Sequence, residues 1–149
     1  MNTLFLDTSA LFKRYIPEKG SLALDKVFRN AESRFITNLT ITEIVSNLRR
    51  LVDVEKLIDG KKYQAAKAEL MGDIADGTLK VSEVTTADIL SSVDLISKRY
   101  ISPIDAIQLA VSLRLASREE EFVFICADKK LCRIAEKEGL SVLNPSIEA

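Results

Sequence analysis

The sequence predicts an α/β fold: a three-layer α/β/α sandwich around a mainly parallel central sheet. Two observations predict it. Leu4-Phe5-Leu6 and Phe122-Val123-Phe124-Ile125-Cys126 are short, unbroken apolar runs, each closed by an Asp within two residues, the pattern of strands covered on both faces. Between them lie stretches with apolar residues at helical spacing, and strands joined through helices run parallel.

Each element follows from a local pattern. Phe35-Ile36-Thr37, Leu79-Lys80-Val81 and Ser141-Val142-Leu143 are weaker strands, expected nearer the sheet edges. Ile41, Ile44, Val45, Leu48, Leu51 and Val52 predict a helix from Thr40 to Val54. Tyr63, Ala66, Leu70 and Ile74 form a second apolar stripe, and Ile89, Val93, Ile96 and Tyr100 a third. From Pro103 to Ala116 only Asp105, Gln108, Ser112 and Arg114 interrupt an apolar helix, which should be largely buried. A last helix runs from Lys129 to Glu138 and stops at Gly139, suited to a left-handed cap. No linker or repeat divides the chain, so residues 1–149 are expected to form one domain.

Composition narrows the chemistry. The 149 residues carry 21 Lys plus Arg against 22 Asp plus Glu, so any nucleic-acid site must be a local basic patch. The absence of His excludes Ser-His-Asp and Cys-His hydrolysis, His-based ribonuclease chemistry and His-ligated zinc or haem. Cys126 and Cys132 are too far apart for a C-x-x-C motif and read as buried, reduced thiols. The start lacks a basic leader region and no apolar run reaches the ~18 residues of a membrane span. A soluble, cytoplasmic protein without a membrane partner is expected.

The acids are placed suggestively. Asp7 follows the first strand, Asp128 follows the Phe122–Cys126 strand after one Ala, and Glu43 and Asp105 lie near helix starts. Taken singly, each is explained by capping: Thr40-x-x-Glu43 fits a capping box, Ser102-Pro103 a helix start, and Asp7 and Asp128 fit N-caps. Asp88, after Thr85-Thr86, also reads as a capping residue, and Asp25, Asp53, Asp59, Asp73, Asp76 and Asp94 as surface acids. The stripe Leu48, Leu51, Val52, with Val54 and Leu57, reads as core, although part of it would also suit a groove for a partner. Two details point further. Asp105 sits on an otherwise apolar helix with Gln108 and Ser112 on the same strip, and burying a carboxylate there costs several kcal/mol unless it is paired or metal-bound. Several helix starts converging on one sheet edge would gather carboxylates that a divalent cation neutralises, and oxygen donors without His or Cys select Mg²⁺ or Mn²⁺.

Leu6-Asp7-Thr8-Ser9-Ala10-Leu11, Thr42-Glu43, Pro103-Ile104-Asp105-Ala106 and Ala127-Asp128-Lys129-Lys130-Leu131 resemble the acidic motifs of PIN-domain nucleases. The stretch Leu11 to Ser21, with Lys13, Arg14, Tyr15, Glu18 and Gly20-Ser21, is similar to the VapC-type toxin ribonucleases of toxin–antitoxin pairs. The resemblance implies a Mg²⁺- or Mn²⁺-dependent endoribonuclease with one or two ions per site, a homodimer and a cognate antitoxin. It places Asp7, Glu43, Asp105 and Asp128 as the catalytic, metal-binding acids and Ser9 as support for Asp7. Cys126 stands where many members have Thr or Ser, and Gln108 where many toxins have His. Cations expected to hold the RNA substrate are Lys13 and Arg14, nearest Asp7, then Arg49, Arg50, Lys129 and Lys130. A receiver domain would want an acidic pair after the first strand, where Leu6 precedes Asp7 and Thr8 follows it, and a haloacid-dehalogenase-type phosphatase an Asp where Ser9 stands. A non-catalytic RNA- or partner-binding module on the same fold is the stronger alternative.

Overall fold

In a computed structural model, residues 2–147 are described. The strands β1 (Thr3–Leu6), β2 (Ser33–Thr37), β3 (Lys80–Ser82), β4 (Phe122–Ile125) and β5 (Ser141–Leu143) form a sheet in the order β3-β2-β1-β4-β5. Every neighbouring pair is parallel. The helices are α1 (Thr8–Tyr15), α2 (Ser21–Asn30), α3 (Asn38–Asp53), α4 (Gly60–Ala75), α5 (Thr86–Lys98), α6 (Pro103–Ala116) and α7 (Lys129–Lys137).

Strand alternation splits the core between the two faces of the sheet. Leu4, Leu6, Ile36 and Ile125 point toward α1–α4, where Leu11, Leu24, Ile44, Leu48 and Leu70 complete one layer. Phe5 and Phe124, stacked with centroids 5.7 Å apart, point toward α5–α7, where Leu95, Leu109 and Leu131 complete the other. Crossovers from β1 through β3 therefore lie on one face and those from β3 through β5 on the other. The chain changes direction between β1 and β4, and the carboxyl ends of two such strands form the natural ligand crevice of an open parallel sheet. Among the described residues no helix is long and apolar enough to cross a membrane.

Three expectations are corrected. β2 lies one strand in from the edge, level with β4 rather than outside it, because the short β3 pairs beyond it. The stripe on α5 does not face the core: Val93 is 53% and Tyr100 74% exposed, and Asp88, Ser92 and Leu95 are buried instead. The reason is polar. Asp88 closes a capping box with Thr85 and accepts two bonds from Arg114 on α6, at 2.9 and 3.0 Å, which turns that side of α5 inward. At the end of α3, Leu48 is buried, but Val54 and Leu57 project into solvent.

α2 has no counterpart in the sequence-derived elements. It opens at Gly20, where φ is +92° and an added Cβ would come within 2.9 Å of the Pro145 carbonyl. Only glycine meets both conditions without strain.

Candidate active site

Four helix starts meet at the carboxyl edge of the sheet. The backbone N–H of Asp7 donates to the Ile125 carbonyl at 2.9 Å, so the exit of β1 is pinned to β4. The Asp7 carboxylate caps α1 by accepting from the Ser9 amide, and it also accepts from the Ser9 hydroxyl at 2.7 Å. Ser9 in turn accepts from the Ala127 amide at 3.0 Å, tying the turn after β1 to the turn after β4. The buried Cys126 thiol lies 3.8 Å from the Asp7 carboxylate and accepts from the Asp128 amide at 3.3 Å. Asp128 caps α7 through Leu131. Capping and clustering thus coexist in the same residues.

Asp7 is only 5% exposed. Burial pushes its pKa from 3.8 up to about 6; the Ser9 hydroxyl opposes the rise, and the charges of Asp105 and Glu43 add to it. Asp105 is also raised, first by burial and then by Asp128, against the neighbouring Ser102 hydroxyl and Lys130. Asp105 and Asp128 line one cavity with Tyr100, Ser102 and Lys130. The four acids therefore form an electrostatically connected row: Glu43 and Asp105 act on Asp7, and Asp128 on Asp105. Among the described residues no three of these side chains already close a metal cage. The donor set is nonetheless all carboxylate oxygen around a buried, self-repelling acid, the composition that suits Mg²⁺ or Mn²⁺.

Glu43 is held in an unforeseen way. The cap of α3 is Thr37, whose side chain accepts from the Thr40 amide, so the expected Thr40–Glu43 capping box does not form. Glu43 instead accepts from the Thr8 hydroxyl at 2.6 Å. Behind Thr8 lies a buried set of Thr37, Thr40 and Gln108. The apolar setting of Gln108 in α6 was the one sequence signal for this network; Thr40 read only as a cap, because the bonds that join the threonines to Gln108 and Glu43 span 35 to 100 residues.

The two cations expected first for RNA contact are instead committed inside the protein. Lys13 is 7% exposed and donates to Glu18 at 3.0 Å and to the Lys19 carbonyl at 2.6 Å. Arg14 makes a two-pronged pair with Asp73 at 2.9 and 3.2 Å and lies over the Phe28 ring. Asp73, expected at the surface, is buried and also accepts from the Tyr15 hydroxyl at 2.7 Å. Of the others, Arg49 pairs with Asp53 on the surface of α3, Arg50 and Lys129 are exposed, and Lys130 stands 4.8 Å from the Tyr100 ring centroid beside Asp105 and Asp128.

A family model described as the PIN domain matches residues 4–137. No curated protein matches in sequence. Among solved structures, the chain is similar to FitAcB from Neisseria gonorrhoeae (15% identity, TM-score 0.70, covering 97% of this chain and 99% of that one). It is also similar to VapC20 from Mycobacterium tuberculosis, described as a sarcin–ricin loop cleaving toxin (14%, TM-score 0.68, 98% and 99%). A toxin–antitoxin complex from Klebsiella pneumoniae is similar as well (14%, TM-score 0.65, 95% and 97%). At these identities the likeness is one of fold.

Proposed function

The chain belongs to the PIN-domain family, whose members are nucleases that generally use divalent metal ions, and from this we propose that it is a Mg²⁺- or Mn²⁺-dependent endoribonuclease, the toxin of a toxin–antitoxin pair. The observation that carries the reading is Asp7: a buried carboxyl at the switch point of a parallel sheet, its charge opposed by Asp105 and Glu43. Such an arrangement disfavours the metal-free ionised state and favours occupation by a cation.

Asp7, Asp105 and Asp128, with Glu43, would hold one or two ions. When bound, an ion of this kind lowers the pKa of water and offsets charge developing on a phosphoryl group. Ser9 holds the Asp7 carboxylate and bridges to the β4 turn, so the two strand-end acids keep their spacing. Lys130 and Lys129 flank the acids and would guide an RNA backbone toward an otherwise anionic rim, with Arg50 and Arg49 farther along. With no His in the chain, attack by water is the expected chemistry, leaving 5′-phosphate and 3′-hydroxyl ends.

Residues 1–149 act in this reading as one cytoplasmic nuclease domain. A homodimer is supported by the exposed apolar face of α5, where Ile89, Leu90, Val93 and Ile96 lie together with Tyr100 beyond it. The similar toxin–antitoxin complex supports an antitoxin as a second partner.

The test is cleavage of a defined RNA set with Mn²⁺, with end-group analysis. Wild type is expected to cut, Asp105→Asn to lose at least about a hundredfold in rate, and excess EDTA to abolish activity. Cyclic phosphate ends, or undiminished cleavage in EDTA, would refute the mechanism. RNA binding without cleavage would make the protein a binding module on the same fold.

A further inference from the structure

Four uncharged polar side chains from separate parts of the chain meet beneath Glu43. Gln108 on α6, Thr37 at the end of β2 and Thr40 on α3 are completely buried, and Thr8 on α1 nearly so. The hydrogen bonds between them have a defined direction. Thr37 Oγ1 already accepts from the Thr40 amide, which leaves its proton for Gln108 Oε1 at 2.6 Å. With its oxygen turned to Thr37, the Gln108 carboxamide presents Nε2 to Thr40 Oγ1 at 2.7 Å and to Thr8 Oγ1 at 3.5 Å. Accepting from Gln108, the Thr8 hydroxyl keeps its own proton for an acceptor. The Glu43 carboxylate at 2.6 Å is nearer and more strongly accepting than Thr40 Oγ1 at 3.2 Å. Among the described residues no buried polar side-chain atom lacks a partner, so the set is closed. A closed buried network of this kind holds its members in one arrangement.

We propose that Gln108 is a positioning residue for Glu43, acting through Thr8 to hold that carboxylate toward Asp7 at the mouth of the site. The consequence for metal binding rests on the nuclease reading; the positioning itself does not. Gln108 touches neither Asp7 nor Glu43 directly. Its influence is the orientation of one hydroxyl proton, which a side chain of the same size without a donor cannot supply.

Two measurements separate the two layers. In the metal-free protein, the carboxyl carbon-13 resonance of Glu43 reports its hydrogen bond whatever the protein catalyses. Thr8→Val should shift it and Thr8→Ser restore it. Gln108→Met should shift it in the same direction as Thr8→Val, and the double variant no further. Gln108→Leu, which is apolar and removes the donor without adding a titratable group, replaces Gln108→Met if that variant does not fold. A resonance that responds to Thr8→Val but ignores the Gln108 variants overturns the proposal. The second measurement is Mn²⁺ affinity by calorimetry, expected to fall roughly 10- to 100-fold in Thr8→Val and Gln108→Met and to stay within about twofold of wild type in Thr8→Ser. Unchanged affinity in a folded Gln108→Met protein overturns the proposed link to the site. A wild-type protein that neither binds Mn²⁺ nor cuts RNA removes the nuclease reading, and the resonance comparison still decides the positioning.

Discussion

Replacing Asp7 with Asn should make the metal-free protein more stable while removing its activity. The folded pKa of Asp7 is about 6 against an ordinary 3.8. Between those two pH values the native state binds more protons than the unfolded chain, so unfolding free energy falls as pH rises through this window and levels off above it. At 1.36 kcal/mol per pH unit, the ionised carboxylate costs the fold about 3 kcal/mol above pH 6. Asn is neutral, close in shape and still able to accept from Ser9, so it escapes that cost. By urea unfolding without metal, Asp7→Asn should gain about 3 kcal/mol on wild type between pH 4 and pH 8, ending more stable at the higher pH. In a chain of this size each kcal/mol is roughly 2–4 °C in Tm. Saturating Mn²⁺ should reverse the order, because about 1,000-fold excess over Kd adds about 4.1 kcal/mol to a protein that binds it and nothing to one that does not. A difference between variant and wild type that is flat from pH 4 to 8 would refute the reasoning, as would an equal Mn²⁺ response in both proteins.

Asp73→Ala strands the Arg14 guanidinium and the buried Tyr15 hydroxyl, so it should cost about 2–3 kcal/mol in urea unfolding. RNA affinity of the folded protein should be unchanged; a loss under about 0.5 kcal/mol would contradict the buried-pair account. Lys130→Ala, at an exposed site, should leave stability unaltered. It should also reduce the salt-dependence slope of single-stranded RNA binding by about 0.7, measured by anisotropy in the Asp105→Asn background. Val93→Asp should convert dimer to monomer in light scattering without altering circular dichroism, since Val93 is 53% exposed on α5; a persistent dimer would place the interface elsewhere.

Much of this protein is legible along the chain because the relevant physics is local. Apolar runs such as Phe122–Ile125 and the continuous apolar surface of α6 follow from periodicity alone, and Asp7 and Asp128 stand beside their strands whatever the rest of the chain does. The parallel order then brings both acids to one edge, as Asp7 bonding to Ile125 demonstrates. Partnerships across tens of residues leave no such trace. Arg14 looks like a free cation until Asp73, 59 residues away, meets it, and Thr40 looks like a cap until Gln108, 68 residues away, donates to its hydroxyl. The outward face of α5 was decided by Arg114 drawing Asp88 inward, an attraction that outweighed a regular apolar stripe. Sequence by itself determined which segments form the strands and most of the helices, α2 excepted, and which acids end them. Packing alone decided which face α5 buries and which hydroxyl holds Glu43, because desolvation and pairing energies exist only once distant groups are in contact.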